Sequence, residues 1–424
     1  MRKIDDDFLN ILHKRVLWCQ DAYDGKHRLA AFKMLTWSIG YYFLGKDPRE
    51  KHRADYNPEQ NKKVDHGNTK ATNAFTGYGG ITCNIAMVTS GGMGDHLLFA
   101  NYVYAFYKKY SQLYDLEIDV VFKDKLGLAK HIFREGDFIR GILSCEDYEK
   151  QTGVYDLSIN MAGFPKIESV NRGRLSAYFK ELSTFVQKCD EYKGYCRSAF
   201  RGNAYGMSKL CELEGRKLIQ RGDIYGMLGI TEEFQYPLFI DCDENEYLTE
   251  IGVASKEFIT IQTGIDVIYD KHVKQWPIEH YRELVKLIGR NYPNVKVVQV
   301  GNSGEVCKQE DEHFINLVNK TSLEQAKVLM KHSLIHIDIE GGMVHLRHAL
   351  KGGKSIVLFG PTSIEFFGYS DNCNLRSDVC RNDCYQMTSS WPADCPRYGD
   401  ARCMKYLSPQ YVFENFAKVY EDAR

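Results

Sequence analysis

A glycine-rich turn joins two regular segments near residue 90. The apolar run Cys83–Val88 predicts a buried strand, and apolar residues at helical spacing follow it. Between them lie residues 90–95, Ser-Gly-Gly-Met-Gly-Asp, where backbone N–H groups gather and a helix dipole points outward. Gly92 and Gly94 let a phosphate group or an acceptor approach the backbone closely. Asp95 is a candidate general base, since its carboxylate stays ionised at neutral pH; the alternative is a simple helix cap.

A second group of reactive side chains lies near the C-terminal end. Five of the thirteen cysteines fall between Cys373 and Cys403, where an even spread would place about one. Four of them are spaced in a way that suits a tetrahedral site for a soft metal: Cys380, Cys384, Cys395 and Cys403. Zinc and iron both take such ligands, and the alternative is a set of free buried thiols. A disulfide framework is not expected in a reducing compartment.

The composition limits the classes of function. Of the 424 residues 44% are apolar, which is enough for a sizeable core. The formal net charge of -1 argues against nucleic acid as a general partner. No apolar run is long enough to span a membrane, and the first residues lack the apolar core of a secretory signal. We therefore expect a cytoplasmic protein, with peripheral attachment at the inner membrane as a second option.

Strands that alternate with helices make up most of the chain after residue 80. Apolar runs predict strands at 83–88, 118–122 and 155–159, and then at 258–261, 295–300, 334–339 and 355–360. This alternation implies an α/β protein with parallel sheets, here two Rossmann-like lobes with a cleft between them. The predicted domains are a helical extension with a linker (1–80), a first lobe (81–245), a second lobe (246–372), and a cysteine finger with a terminal helix (373–424).

Three motifs carry a resemblance to a known family. They are Gly92-Met93-Gly94-Asp95-His96-Leu97-Leu98, then Lys274-Gln275-Trp276-Pro277, and Gly342-Met343-Val344-His345-Leu346 with the strand that follows it. In this order, across both lobes, they resemble glycosyltransferase family 9, the bacterial heptosyltransferases. The resemblance covers roughly residues 82–424. It implies a GT-B fold, in which an acceptor lobe faces a nucleotide-sugar lobe, and an inverting transfer without a catalytic divalent metal.

The resemblance also assigns roles to individual residues. Asp95 would take the proton from the acceptor hydroxyl, and Lys274 would balance the charge of the departing diphosphate. Phosphate oxygens would meet Thr263, Gly264 and the amides of Gly341, Gly342 and Met343. His345 would lie in the same helix start, Glu305 would bind the ribose, and Glu340 would face sugar hydroxyls. The family's Asp-Thr/Ser-Gly is here Glu340-Gly341-Gly342, which leaves the identity of the sugar open.

The cysteine segment resembles a narrower group. Trp391-Pro392-Ala393-Asp394-Cys395-Pro396, followed by Cys403-Met404, is similar to the cysteine finger of the autotransporter heptosyltransferases. The resemblance implies a structural iron (alternatively zinc), a homo-oligomer, and transfer of a heptose or related sugar from an ADP-heptose-like donor to a protein serine or threonine. The alternatives are a transferase of lipopolysaccharide-core sugars, with a lipid-linked acceptor, and a catalytically silent scaffold that binds nucleotide sugars. A nicotinamide oxidoreductase is disfavoured, because the third glycine of the dinucleotide fingerprint is replaced by Leu97.

Overall fold

A computed structural model describes most of the chain after residue 80. The described residues are 81–161, 165–198, 229–230, 235–264, 273–307, 313–380, 395, 398 and 400–423, with side chains described only to 190 in the helix that ends at 198. Residues 83–424 form one compact unit. The helical extension predicted over residues 1–80 lies outside the described residues. Within these ranges no helix combines the length and the apolar character needed to cross a membrane.

The first sheet has five strands in the order β3-β2-β1-β4-β5, of which β5 runs antiparallel to β4. Its strands are β1 (Thr82–Thr89), β2 (Asp115–Phe122), β3 (Gly141–Ser144), β4 (Leu157–Asn160) and β5 (Lys166–Val170). The helices of this lobe are α1 (Met93–Tyr110), α2 (Leu126–Ile132), α3 (Cys145–Glu149), α4 (Arg172–Tyr178) and α5 (Lys180–Ser198).

The second sheet has six strands in the order β11-β10-β9-β6-β7-β8, and every pair is parallel. They are β6 (Phe258–Gln262), β7 (Lys296–Val300), β8 (Phe314–Asn316), β9 (His336–Ile339), β10 (Ser355–Phe359) and β11 (Cys373–Arg376). The helices are α6 (Glu244–Glu250), α7 (Ile278–Asn291), α8 (Leu323–His332), α9 (Gly342–Ala349), α10 (Ile364–Phe367), α11 (Arg402–Lys405) and α12 (Pro409–Ala423).

Both sheets reverse their strand order next to their first strand, between β1 and β4 and between β6 and β9. In open parallel sheets a ligand binds outside the carboxyl ends of the strands at such a reversal. The turn at 90–95 follows β1, Thr263 and Gly264 follow β6, and Glu340 follows β9. The topology therefore places most of the predicted site residues at the carboxyl ends of the strands, next to these two reversals.

The expected α/β class with parallel sheets is confirmed, and the differences are local. The short strands β3, β5, β8 and β11 were not predicted, because they are only partly buried and so do not form continuous apolar runs. Helix α6 spans the expected boundary between the two lobes at residues 245 and 246, and the Asp243 carboxylate caps its start. Strand β11 begins at Cys373, so the second sheet continues into the segment assigned to the cysteine finger.

Candidate functional site

The turn after β1 holds Asp95 against its own backbone. Gly91 has φ +125°, a conformation that favours glycine, and a Cβ there would lie 2.5 Å from Asp95 Oδ2. The Gly92 N–H donates to the same Oδ2 at 2.7 Å. The half-buried Asp95 therefore caps the first turn of α1, as the alternative interpretation expected. A cap and a base are compatible roles, because a carboxylate has several lone pairs on two oxygens and the Gly92 N–H uses one of them.

Asp124 and His96 complete this turn, and neither was among the predicted site residues. The Gly91 N–H donates to both oxygens of Asp124 at 3.2 Å. His96 is fully buried, with Nε2 3.4 Å from Asp124 Oδ1 and Nδ1 3.4 Å from the Thr89 hydroxyl. Burial lowers the pKa of His96, which favours the neutral ring. Asp124 lies just beyond β2, and a carboxylate after a parallel strand next to the glycine turn was the available signal.

The glycine turns of the two lobes meet. A Cβ built on Gly94 would lie 2.4 Å from His345 Cδ2, and one on Gly342 would lie 3.0 Å from Met93 Cε. The first turns of α1 and α9 are therefore in contact, and only glycine allows this approach. Asp95 is next in sequence to Gly94, so the candidate base lies beside the first turn of α9. This contact joins the motif of the first lobe to that of the second.

Lys274 and Glu340 form an ion pair near the carboxyl end of β9. Lys274 Nζ is 2.5 Å from Glu340 Oε2 and 3.5 Å from the Glu340 carbonyl oxygen. The two side chains are only 13% and 8% exposed. Glu340 is two residues before Gly342, which contacts the first lobe. The predicted phosphate-binding cation and the predicted sugar-binding acid thus neutralise each other at the site.

The residues after β6, Thr263 and Gly264, pack against the turn that follows β7. The Thr263 hydroxyl donates to the Gly304 carbonyl, and a Cβ on Gly264 would lie 2.3 Å from Ser303 Oγ. A phosphate contact through the Thr263 hydroxyl would have to replace that bond. Glu305 is exposed on the same turn.

Gln299 is a further organiser of this turn. Its buried side chain donates to the Thr263 hydroxyl at 3.0 Å and to the Gly304 carbonyl at 2.8 Å. Its amide oxygen accepts the Val306 N–H at 2.9 Å. Gln299 belongs to no sequence motif, because a single amide within an apolar strand has no characteristic spacing.

A connected group of buried polar side chains lies in the second lobe, on β6, on β9 and on or next to the neighbouring helices. The Arg347 guanidinium donates to Ser333 Oγ at 2.5 Å, and the Thr260 hydroxyl donates to the same oxygen at 3.2 Å. Thr260 Oγ1 is 3.0 Å from His336 Nδ1, and His336 Nε2 is 3.4 Å from Asp338 Oδ2. Burial lowers the pKa of His336 to about 3 and raises that of Asp338 well above its ordinary value.

Three of the four predicted metal ligands are described and buried. Burial raises the pKa of the Cys403 thiol to about 12, and the thiols of Cys380 and Cys395 add to this shift. The Tyr398 N–H donates to Cys395 Sγ at 3.4 Å. The fourth predicted ligand, Cys384, lies outside the described residues. Among the residues that are described, no three His, Cys, Asp or Glu side chains are arranged to hold a metal ion, so the predicted cysteine metal finger is not shown.

The segment around Cys403 packs directly against Trp276 and against the residue that follows β10. Trp276 is fully buried, and its indole N–H donates to the Leu407 carbonyl at 2.7 Å. Gly360, which follows β10, would clash with Met404 Sδ at 2.6 Å if it carried a Cβ. Trp276 is two residues from Lys274, so the position of the lysine loop depends on the segment that carries Cys403.

Residues 237–391 match the family model described as glycosyltransferase family 9 (heptosyltransferase). The matched range covers 155 of the 424 residues and contains the Lys274 and His345 motifs. The resemblance found in the sequence, to a family of glycosyltransferases, is thereby confirmed for the second lobe. The motif at 92–98 lies outside the matched range. No curated protein matches the chain in sequence.

The fold of the chain is similar to the folds of several solved structures. The glycosyl transferase family 9 protein from Veillonella parvula is 14% identical, with 80% of this chain and 98% of that chain covered and a TM-score of 0.54. The iron-containing dodecameric glycosyltransferase TibC from enterotoxigenic E. coli is 11% identical, with coverages of 81% and 77% and a TM-score of 0.52. The TibC complex with ADP-D-beta-D-heptose gives 12% identity, the same coverages and a TM-score of 0.51.

Proposed function

We propose that this protein transfers a heptose or a related sugar from a nucleotide-diphosphate donor to a hydroxyl group, with inversion at the anomeric carbon. The observation that carries the proposal is the contact between Gly94 and His345, which brings the Asp95 turn against the start of α9. A displacement reaction needs a base and a held leaving group on opposite sides of one carbon, and two lobes that meet here supply both.

The proposed roles follow from these contacts. Asp95 takes the acceptor proton while the Gly92 N–H keeps one carboxylate oxygen in place. The diphosphate lies at the start of α9, where the amides of residues 341–343 and the helix dipole favour negative charge. Lys274 is 2.5 Å from Glu340 Oε2, so a bound diphosphate would share the lysine with the glutamate. Glu340 is then available to accept a hydrogen bond from a sugar hydroxyl. Thr263, Gly264 and Glu305 would bind the remaining phosphate oxygens and the ribose.

For the acceptor we propose a protein serine or threonine. Support comes from the segment that resembles the autotransporter enzymes, in which the thiols Cys380, Cys395 and Cys403 are all buried. Together with Cys384 they would hold a structural iron, with zinc as the alternative; four thiolates suit either metal. The metal would stabilise the segment on which Trp276 and the Lys274 loop rest. We further propose a homo-oligomer that acts in the cytoplasm.

Thermal shift across a panel of nucleotide-diphosphate sugars tests the donor class first. A specific donor stabilises the folded form by mass action, by about 2.7 kcal/mol at a hundred times its Kd. Release of nucleotide diphosphate that depends on acceptor then separates an enzyme from a silent binding scaffold. Incorporation of sugar into an autotransporter passenger domain supports the protein acceptor, whereas incorporation only into lipid-linked core oligosaccharide assigns the alternative.

Elemental analysis tests the metal proposal on protein purified without added metal. We expect about one iron per chain, and near-complete loss of iron in Cys403→Ser. Cys242→Ser is the matched control, because Cys242 is exposed and lies outside the cluster. Absence of both iron and zinc in the wild-type protein would end the proposal.

A further inference from the structure

A tyrosine of the same lobe contacts the side of the His345 ring that carries Nδ1. Tyr369 Oη is 2.7 Å from His345 Nδ1, and the two rings meet edge to face with centroids 5.5 Å apart. Tyr369 follows α10 and comes to the site only through folding. Nothing in the sequence motifs singled it out.

Tyr369 is itself fixed by three neighbours. Its ring stacks on His348, with centroids 3.6 Å apart and planes 11° from parallel. Its carbonyl oxygen accepts the Asn372 N–H at 3.2 Å and the Asn374 side-chain amide at 2.9 Å. Burial lowers the pKa of His348, so the stacked ring is mainly neutral. A phenol with both its ring plane and its backbone fixed is a rigid support for another side chain.

The opposite edge of the His345 ring faces the first lobe. From the Cβ position of Gly94, Cδ2 lies at 2.4 Å and Nε2 at 3.2 Å. The edge that carries Nε2 therefore borders the Asp95 turn, while Nδ1 points to Tyr369. His345 is also in the first turn of α9, beside the amides assigned to the diphosphate.

We propose that Tyr369 is a positioning residue that donates its hydroxyl proton to His345 Nδ1 and so holds the ring as the Nε2–H tautomer. The inference rests on the proposed function for its ligand, an oxygen of the donor diphosphate. In this tautomer a neutral N–H lies next to the Gly94 turn, on the side of the ring that borders the first lobe, and donates to that oxygen. The other tautomer would present a bare nitrogen lone pair, which repels an anionic oxygen.

Nitrogen-15 NMR of the imidazole rings tests the tautomer without any ligand or turnover. We expect the His345 signals of the wild-type protein to show a protonated Nε2 and an accepting Nδ1. In Tyr369→Phe, which keeps the ring stacked on His348, we expect a mixture of the two tautomers. A protonated Nδ1 in the wild-type protein would overturn the inference.

A kinetic cycle supplies the second test. Tyr369→Phe should lower donor turnover about tenfold, as expected for the loss of one oriented hydrogen bond. His345→Gln places an amide nitrogen near the Nε2 position and does not need the tyrosine, so adding Tyr369→Phe to it should change the rate less than twofold. An equal loss in both backgrounds would show a merely structural role for Tyr369. If the wild-type protein turns over no nucleotide sugar, the proposed function fails, while the NMR result still decides the tautomer.

Discussion

Gly94 and His345 lie so close together that a single added methyl group on the glycine would stand 2.4 Å from the imidazole ring. The approach from the other side is also tight, since a Cβ on Gly342 would lie 3.0 Å from Met93 Cε and 3.3 Å from Met93 Cβ. Two helix starts, one from each lobe, thus approach each other through glycines. We infer that the glycines in these two motifs are required by this contact as well as by any ligand.

Gly94→Ala is expected to lower turnover more than tenfold, because the new Cβ displaces the His345 ring or separates the two lobes. The melting temperature should also fall, since the first turns of α1 and α9 pack against each other. Gly127→Ala is the matched control, because no atom lies within 4 Å of its Cβ position and α2 tolerates alanine well. Equal activity in the two variants would contradict the contact.

Lys274→Met is expected to destabilise the protein by about 3–5 kcal/mol, because it removes the cation paired with the nearly buried Glu340 carboxylate. Urea unfolding measures this loss. Adding Glu340→Gln removes the buried negative charge and should recover most of the stability, while transfer stays absent, because the cation for the diphosphate is still missing. Recovery of transfer in the double variant would exclude Lys274 from the leaving-group site.

The pair His336 and Asp338 predicts an unusual dependence of stability on pH. The folded state holds His336 neutral and Asp338 protonated, because both are buried in contact. Between the ordinary pKa values of 3.8 and 6.5 the unfolded chain carries its one proton on the histidine instead. Both states then bind one proton, so the pair contributes no slope in this window. Above 6.5 the folded state binds the extra proton, and stability falls as pH rises.

Asp338→Asn isolates this effect, because the amide mimics a protonated acid and keeps an oxygen for the Ile339 N–H. The unfolding free energy of the variant minus that of the wild type should rise with pH above pH 5, by at most about 1.4 kcal/mol per pH unit, over the range in which Asp338 stays protonated in the folded wild type. Denaturant unfolding at a series of pH values measures the difference. A difference that does not change with pH would mean that Asp338 is ionised in the folded protein.

The sequence was sufficient for the parts of the molecule that depend on regular patterns. Strands such as β6 and β10 are continuous apolar runs because parallel strands are covered on both faces. The alternation of strands and helices implied parallel strands, and Thr263 and Glu340 follow the carboxyl ends of the neighbouring parallel strands β6 and β9. The short strand β11 was missed, because its pairing with β10 depends on tertiary contact rather than on propensity.

The contacts within the site could not be read from spacing. The pairing of Lys274 with Glu340 joins residues 66 positions apart, and the two were expected to bind different parts of the donor. Asp124, Gln299 and Tyr369 belong to no motif, because each acts by supporting a neighbour. Such supporting residues become visible only when folding brings distant segments together.

The most direct test of the central claim is the turnover of Asp95→Asn with the donor identified by thermal shift. Asparagine keeps an oxygen for the Gly92 N–H, so the turn should remain intact, but it cannot take a proton from the acceptor. We predict that nucleotide-diphosphate release falls at least about a hundredfold, while the donor-induced thermal shift stays unchanged. Turnover close to that of the wild type would contradict the role of Asp95 as the base.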